Sequence, residues 1–366
     1  MTVRITKPEF NIREKLSELD IPVGNHGTQL MKSSDVAETH NLLQLKNRRK
    51  NYFINGDCRI WQRGTSSISP LTFGNYGCDR FWFANGSTQA DRSTDVPAYN
   101  TTGAEAFNYS IKITSDGTSS SFGQPIELTS TGVSQFVNGK QYTLSFYAKS
   151  DSGSTDIQAV MYYRNSKFTN TNQINWEPDV APHLGTVNRG WQKFVYTFTA
   201  PAVNSNNTML AFELAGFTAT IYVTGFQLEE GPQATPFEFT NEAEELALCQ
   251  RYFFAMVPLD NYAAYGMGGA YSSTQAVAMV PFPVAMRAKP SFTYTGALGD
   301  FYDVIGGFSG GGSFSNMTVN NTMGTGTNGE AVSAKVNVVG SGTAGNPFML
   351  ATEGNMSTRL YFDAEI

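Results

Sequence analysis

NYFINGDCRIWQRGTSSISPLTFGNYGCDRFW, residues 51–82, is the stretch around which the rest of the chain is organised. It reads as the opening strand and first crossing of a β-sandwich. Two later stretches close the same sheet, QYTLSFYAKS at 141–150 and ATIYVTGFQLEEGPQATPFEF at 219–239. Between them lie FNYSIKITS, FGQPIEL, TDIQAVMYY, WQKFVYTFTA and NTMLAFELA, each bounded by Gly, Pro, Asn or Ser. Period-2 alternation is plain in QYTLSFYAK, where Tyr142, Leu144, Phe146 and Ala148 share one face. Thr143, Ser145, Tyr147 and Lys149 share the other, polar face. In WQKFVYTFT the apolar face is Phe194, Tyr196 and Phe198. Seven or more short alternating strands with turn-rich gaps predict a sandwich or jelly roll over residues 51–240.

Working outward, residues 1–50 have a different texture. NIREKLSELD is followed by PVGNHG, whose Pro22 and Gly24 end any helix, and then by SSDVAETHNLLQLKNRRK with Ser33 or Ser34 as N-cap. Short helices bury little alone, so this segment reads as an attachment device ordered by a partner chain. After the sandwich, NEAEELALCQRYFF at 241–254 is the clearest helix. Thr240 or Asn241 caps it, and acidic residues in its first turn complement the helix dipole. It is a connector, residues 241–256, with Leu246, Cys249 and Phe253 on one side. Residues 257–366 return to strands, in AYSSTQAVAMVPF, EAVSAKVNVV and STRLYFDAEI, and are expected to form a C-terminal β-sandwich tip. There Ala276 and Ala278 put small residues on one face, which suits either close approach of a neighbouring subunit or a thin core.

Composition agrees with a mainly β chain. Charged residues are only 15%, aromatics reach 13%, and there are 35 glycines among 366 residues, which fits tight turns better than a helical enzyme. Net charge is −6, and the one dense basic run, KNRRK at 46–50, is no nucleic-acid footprint. No apolar run approaches a membrane span, and no secretory signal opens the sequence. Cys58, Cys78 and Cys249 have neither metal nor disulfide-framework spacing and are expected as buried thiols in a protein made in a reducing compartment.

Catalytic constellations are thin. Glu229 and Glu230 are adjacent on a strand and point to opposite faces, while Glu177 and Asp179 flank Pro178 in a loop. Asp300 and Asp303 make the third acidic pair. His26, His40 and His183 are scattered, and no G-x-S-x-G elbow or phosphate loop is present. No catalytic residue, cofactor or metal is therefore expected. Binding remains. On the polar sheet face and the Asn-rich gap at 164–189, aromatic rings and hydrogen-bonding groups suited to a sugar are Tyr147, Gln158, Tyr162, Arg164, Trp176 and Glu213.

NYFINGDCRIWQRGTS followed by YGCDRFW resembles bacteriophage tail-fibre proteins, especially those of cyanobacterial and marine phages. Asn55, Gly56, Asp57, Trp61, Gln62, Arg63 and Gly64 keep their pattern, as do Asp79, Arg80 and Phe81; Cys58 and Cys78 stand at the usual Phe and Ala positions. KPEFNIREKLSELDIPVGNHGTQLM, GFQLEEGPQATPFE with LALCQRYF, and VPFPVAMRAKPSFTYTG are similar to the same fibres. The middle domain also resembles carbohydrate-binding modules of bacterial glycoside hydrolases. Some of those hold calcium through acids of the opening and closing strands; Asp57 is kept here, but Thr224 stands in the closing position. The resemblance implies a virion protein assembled in the host cytoplasm, a homotrimer docked to tail, baseplate or adaptor proteins through residues 1–50. Its function would be adsorption to host surface polysaccharide such as lipopolysaccharide, through the jelly roll or the tip. No contact with nucleic acid and no membrane insertion are expected. The alternatives are a tailspike-like depolymerase, for which no β-helix repeat is visible, and a purely structural spacer.

Overall fold

The computed structural model describes residues 50–365 apart from 67, 69–73, 84–86, 100–104, 129–136, 138, 165–182, 201–208, 304–313 and 326–329. Asn51–Ile366 forms a unit separate from Met1–Lys50. The attachment segment read from the sequence thus lies outside the described residues.

Within the second unit, two antiparallel sheets face each other. The first has six strands in the order β1 (Asn75–Tyr76), β2 (Trp82–Phe83), β5 (Ser120–Glu127), β10 (Met209–Phe217), β7 (Thr155–Arg164) and β8 (His183–Val187). The second has five, β3 (Ser87–Ser93), β4 (Ser110–Ser115), β11 (Ile221–Glu230), β6 (Gln141–Ser150) and β9 (Gln192–Thr199). From β4 to β7 and from β8 to β11 the chain crosses between the sheets at every step, as in a jelly roll, while β1–β2, β3–β4 and β7–β8 are neighbours within one sheet. Leu144, Phe146, Ile111, Val223, Phe122, Leu210 and Phe212 fill the space between. Phe226 is the centre of an aromatic cluster, 5.1 Å from the ring of Phe81, 5.4 Å from Phe146 and 5.7 Å from Phe212. A bulge between Thr224 and Gln227, with Gly225 at φ 69°, turns Phe226 inward.

Three expectations are corrected. Residues 50–66 contain no strand. Asn55 (φ 60°) and Cys58 (φ 59°) bend the chain, and Cys58 N–H donates to the Asn55 carbonyl at 2.9 Å. Asn tolerates this left-handed region better than most residues because its side chain hydrogen-bonds locally. Phe53, Trp61 and Phe81 therefore enter the core from a loop, not from a pleat. Second, the supposedly polar face of β6 is covered: Thr143, Ser145 and Tyr147 are buried. The segment read as the end of a closing strand is a strap across that face. Thr143 donates to the Gly231 carbonyl at 2.7 Å, and Thr235 N–H and Oγ1 donate to Glu229 at 2.8 and 2.5 Å. Third, the helix α1 spans Glu242–Gln250 and stops short of residue 254. Asn241 caps it by accepting from Ala243 N–H, and Phe253–Met256 becomes strand β12, pairing with β20 (Arg359–Asp363). The consecutive aromatics there suit a pleated surface.

Beyond α1, a three-stranded sheet, β12–β20–β15 (Ser291–Thr295), packs on a six-stranded one. The latter runs β16 (Phe301–Asp303), β19 (Pro347–Thr352), β13 (Ala264–Ala270), β14 (Gln275–Met286), β18 (Glu330–Val339), β17 (Asn316–Thr325). Ala276, Ala278, Val280 and Phe282 point into their common core, and Met279 points outward. The small-residue face is thus a packed core within one chain.

The quoted motif joins the two sandwiches. Asp79, fully buried, accepts from Gln62 N–H at 3.0 Å and Gln62 Nε2 at 2.5 Å. Gln62 Nε2 also donates to the Phe253 carbonyl at 2.7 Å. Arg63 lies 3.4 Å from the Phe253 ring centroid and 3.3 Å from the Asp363 carboxylate. Arg80, 1% exposed, pairs with Glu365 and lies 3.5 Å over the Tyr252 ring.

Burial pushes the Asp79 carboxyl up to about 6, against the opposing pull of Arg63, Gln62 and Arg80. The folded protein thus holds this proton more tightly than an unfolded chain, where Asp titrates near 4. The Asp79 contribution to stability is complete below about pH 4 and is lost as pH rises through about 6. In denaturant titrations, the stability of the native protein relative to Asp79→Asn is expected to be greatest near pH 4 and to shrink across this window. A difference that grew with pH would contradict this.

Candidate functional site

Two outward faces of the jelly roll come into question. On the first sheet, Gln158 faces Ala215 and Glu213 faces Val160, so the two lie diagonally on one face, both half-buried. Tyr162 and Arg164 occupy positions of the same parity along β7, paired with Ala211 and Met209. The structure thus brings together four of the six residues chosen from sequence at the level of strand register. The Arg164 end of this face adjoins α1, because Met209 packs with Ile54, Ile60, Cys249 and Tyr252. Trp176 lies outside the described residues.

Tyr147 belongs elsewhere. It is on the opposite sheet, buried at 1% exposure, with its ring 5.5 Å from Phe107 and its hydroxyl donating to Glu105 at 3.2 Å. Burial and Glu105 hold its phenol well above the usual range. It supports the strap, since Glu105 also accepts from Phe237 N–H at 2.8 Å.

The strap leaves the other half of that sheet half-exposed, and here the register assembles a row that the sequence reading did not find. Asp91 on β3 pairs with Lys112 on β4, Lys112 with Tyr222 on β11, and Tyr222 with Lys149 on β6. Continuing the β6–β9 register one step past Gln192 brings Trp191 opposite Lys149. Lys149 Nζ is 4.7 Å from the Tyr222 centroid and 5.8 Å from that of Trp191. Asp95 binds this corner together, pairing with Lys149 and accepting from Trp191 Nε1 at 3.0 Å. A second cation, Lys193, sits 5.4 Å over the Tyr147 ring. Tyr222 between Ile221 and Val223, and Trp191 just before β9, were the available signals. Neither identifies a partner until five strands are placed in register.

Two of the acidic pairs have other occupations, while Glu177 and Asp179 lie outside the described residues. Glu229 is held by Thr235, and Glu230 on the opposite face accepts from Tyr52 at 3.2 Å and from Lys140 at 3.4 Å. Asp303 accepts from Met349 N–H at 3.0 Å. Asp57 pairs with Arg59 at 2.6 Å, and Thr224 donates to the Tyr109 carbonyl at 2.8 Å. Among the described residues, no group of three His, Cys, Asp or Glu is placed to hold a metal.

Fold and surface thus define a mainly β protein built on a jelly roll with aromatic and polar groups displayed on its faces. A family model described as a carbohydrate binding domain matches residues 67–220. Among solved structures, a CBM4 module shares 18% identity, covering 48% of this chain and 98% of its own, at a TM-score of 0.28. The CBM22-1 xylan-binding domain of Paenibacillus barcinonensis Xyn10C shares 16%, covering 47% and 99%, at 0.29. The enzymatically active domain of tailspike protein 4 from bacteriophage CBA120 shares 12%, covering 48% of this chain and 23% of its own, at 0.29. At TM-scores this low none of the three decides a function. No curated protein matches the chain.

Proposed function

We propose that the chain is a phage tail-fibre subunit whose jelly roll binds a host surface glycan for adsorption. The observation that carries the binding role is the match of residues 67–220 to a carbohydrate binding domain. The fibre role is supported by the tail-fibre-like motif at residues 51–82. In this reading residues 1–50 dock to the tail, residues 51–240 bind, and residues 257–366 form the distal tip of a homotrimer in the virion. Single-site affinity is low and is multiplied by avidity across fibres. The role is binding rather than cleavage.

The test is binding of labelled, folded protein to whole host cells before and after surface polysaccharide is stripped, with a reducing-sugar assay alongside. Binding that disappears on stripping, with no sugar released, is expected. Release of reducing ends would replace the reading with a depolymerase, and no binding by folded oligomer would replace it with a spacer.

A further inference from the structure

The row Asp91–Lys112–Tyr222–Lys149–Trp191 also bears on the chemistry of the glycan. Tyr222 stands between two ammonium groups, Lys149 at 4.7 Å and Lys112 at 5.9 Å from its centroid. Cations over a ring are attracted to its face. They also occupy the surface on which a neutral pyranose would stack. A ligand approaching from solvent therefore meets positive charge first. Lys149 is neutralised by Asp95. Lys112 and Lys193 form no ion pair among the described residues, although each is half-buried on the same sheet face. They lie three strands apart, on β4 and β9, and two residues out of register, about 14 Å across the sheet and about 7 Å along it. Asp91 stands opposite Lys112 in register and Asp95 pairs with Lys149, so three lysines against two aspartates leave this face with a net charge of +1 in a protein of net charge −6.

We infer that this face binds an anionic polysaccharide, its carboxylates or phosphates neutralising Lys112 and Lys193 on either side of the Lys149–Asp95 pair, with Trp191 as the apolar contact. This rests on the glycan-binding reading above and narrows it to one chemical class and one face.

The test uses the full chain in affinity electrophoresis through gels containing polygalacturonate, its fully methyl-esterified form, phosphomannan or neutral xylan. Retardation by polygalacturonate, phosphomannan or both is expected, lessened by salt and absent with the esterified polymer. Response to only one of the two anionic polymers would identify carboxylate or phosphate as the group recognised. The double variant Lys112→Gln/Lys193→Gln is expected to weaken binding roughly five- to tenfold, at under ~1 kcal/mol for each exposed ionic contact. Lys335→Gln, on the C-terminal sheet, is expected to leave it unchanged. Equal retardation by charged and esterified polymer, with no effect of the double variant, would overturn the anionic reading and leave glycan binding standing. An equal effect of Lys335→Gln would overturn the assignment to this face. Retardation by none of the four would overturn the inference together with the reading beneath it.

Discussion

Replacing Glu365 with Ala is expected to lower the unfolding free energy by about 3–5 kcal/mol, the usual result of stranding one member of a buried ion pair. Its carboxylate is fully buried and pairs with Arg80, which has 1% exposure. Arg80 cannot escape to water. Its backbone is fixed at φ 74°, its Nη2 donates to the Pro125 carbonyl at 2.8 Å, and its guanidinium lies on Tyr252. Arg63, 3.6 Å from the other oxygen of Glu365, would lose a counter-ion as well. The double variant Arg80→Met/Glu365→Leu removes both charges of the main pair and is expected to recover much of the loss. Urea titrations of the three proteins decide it. A single-variant cost below about 1 kcal/mol would mean that the pair is hydrated and does not hold the two sandwiches together.

Asn55→Ala is expected to cost about 4 kcal/mol. The Asn55 amide donates to the carbonyls of Ile60 at 2.9 Å and Asp79 at 3.0 Å, and its oxygen accepts from Ile60 N–H at 2.9 Å. Alanine would leave the buried Ile60 N–H and Asp79 carbonyl unsatisfied, while the Ile60 carbonyl keeps the Asp79 N–H at 3.1 Å; each loss is worth roughly 1–3 kcal/mol, and alanine would add strain at φ 60°. Asn55→Gly relieves that strain without restoring the bonds, so it should be about 1 kcal/mol less harmful than Ala. Equal loss for both would assign the whole effect to hydrogen bonding. A tolerated Ala would contradict the role of Asn55 as the hub of the loop.

These two side chains explain why the opening motif was legible as important but not as what it is. FINGDCRIW has the apolar spacing of a strand, yet the positive φ of Asn55 and Cys58 and the bonds of the Asn55 amide fold it into a loop. Further along the motif, Gln62, Arg63 and Arg80 reach Phe253, Asp363 and Glu365, between 191 and 300 positions away. β6, β9, β10 and β11 were readable because one of their faces is continuously apolar. β3 (STQADRS) was not, since only Ala90 of that segment joins the core. Nor was β8, which lies within a polar gap read as a loop. Tyr147 was misplaced because its cover, Phe107 and Phe237, comes from distant segments that alternation cannot reveal. The row from Asp91 to Trp191 was invisible for the same reason, being made by register across five strands.

The most direct measurement follows the four indole N–H resonances of the intact protein by NMR as polygalacturonate oligosaccharide is added. Trp61 and Trp82 are buried at 7% and 2% exposure and serve as internal references. The account predicts that Trp191 shifts with ligand concentration while those two stay fixed. A shift of Trp176 with Trp191 unmoved, or no shift at any indole, would contradict the placement of a glycan on the Tyr222–Trp191 face.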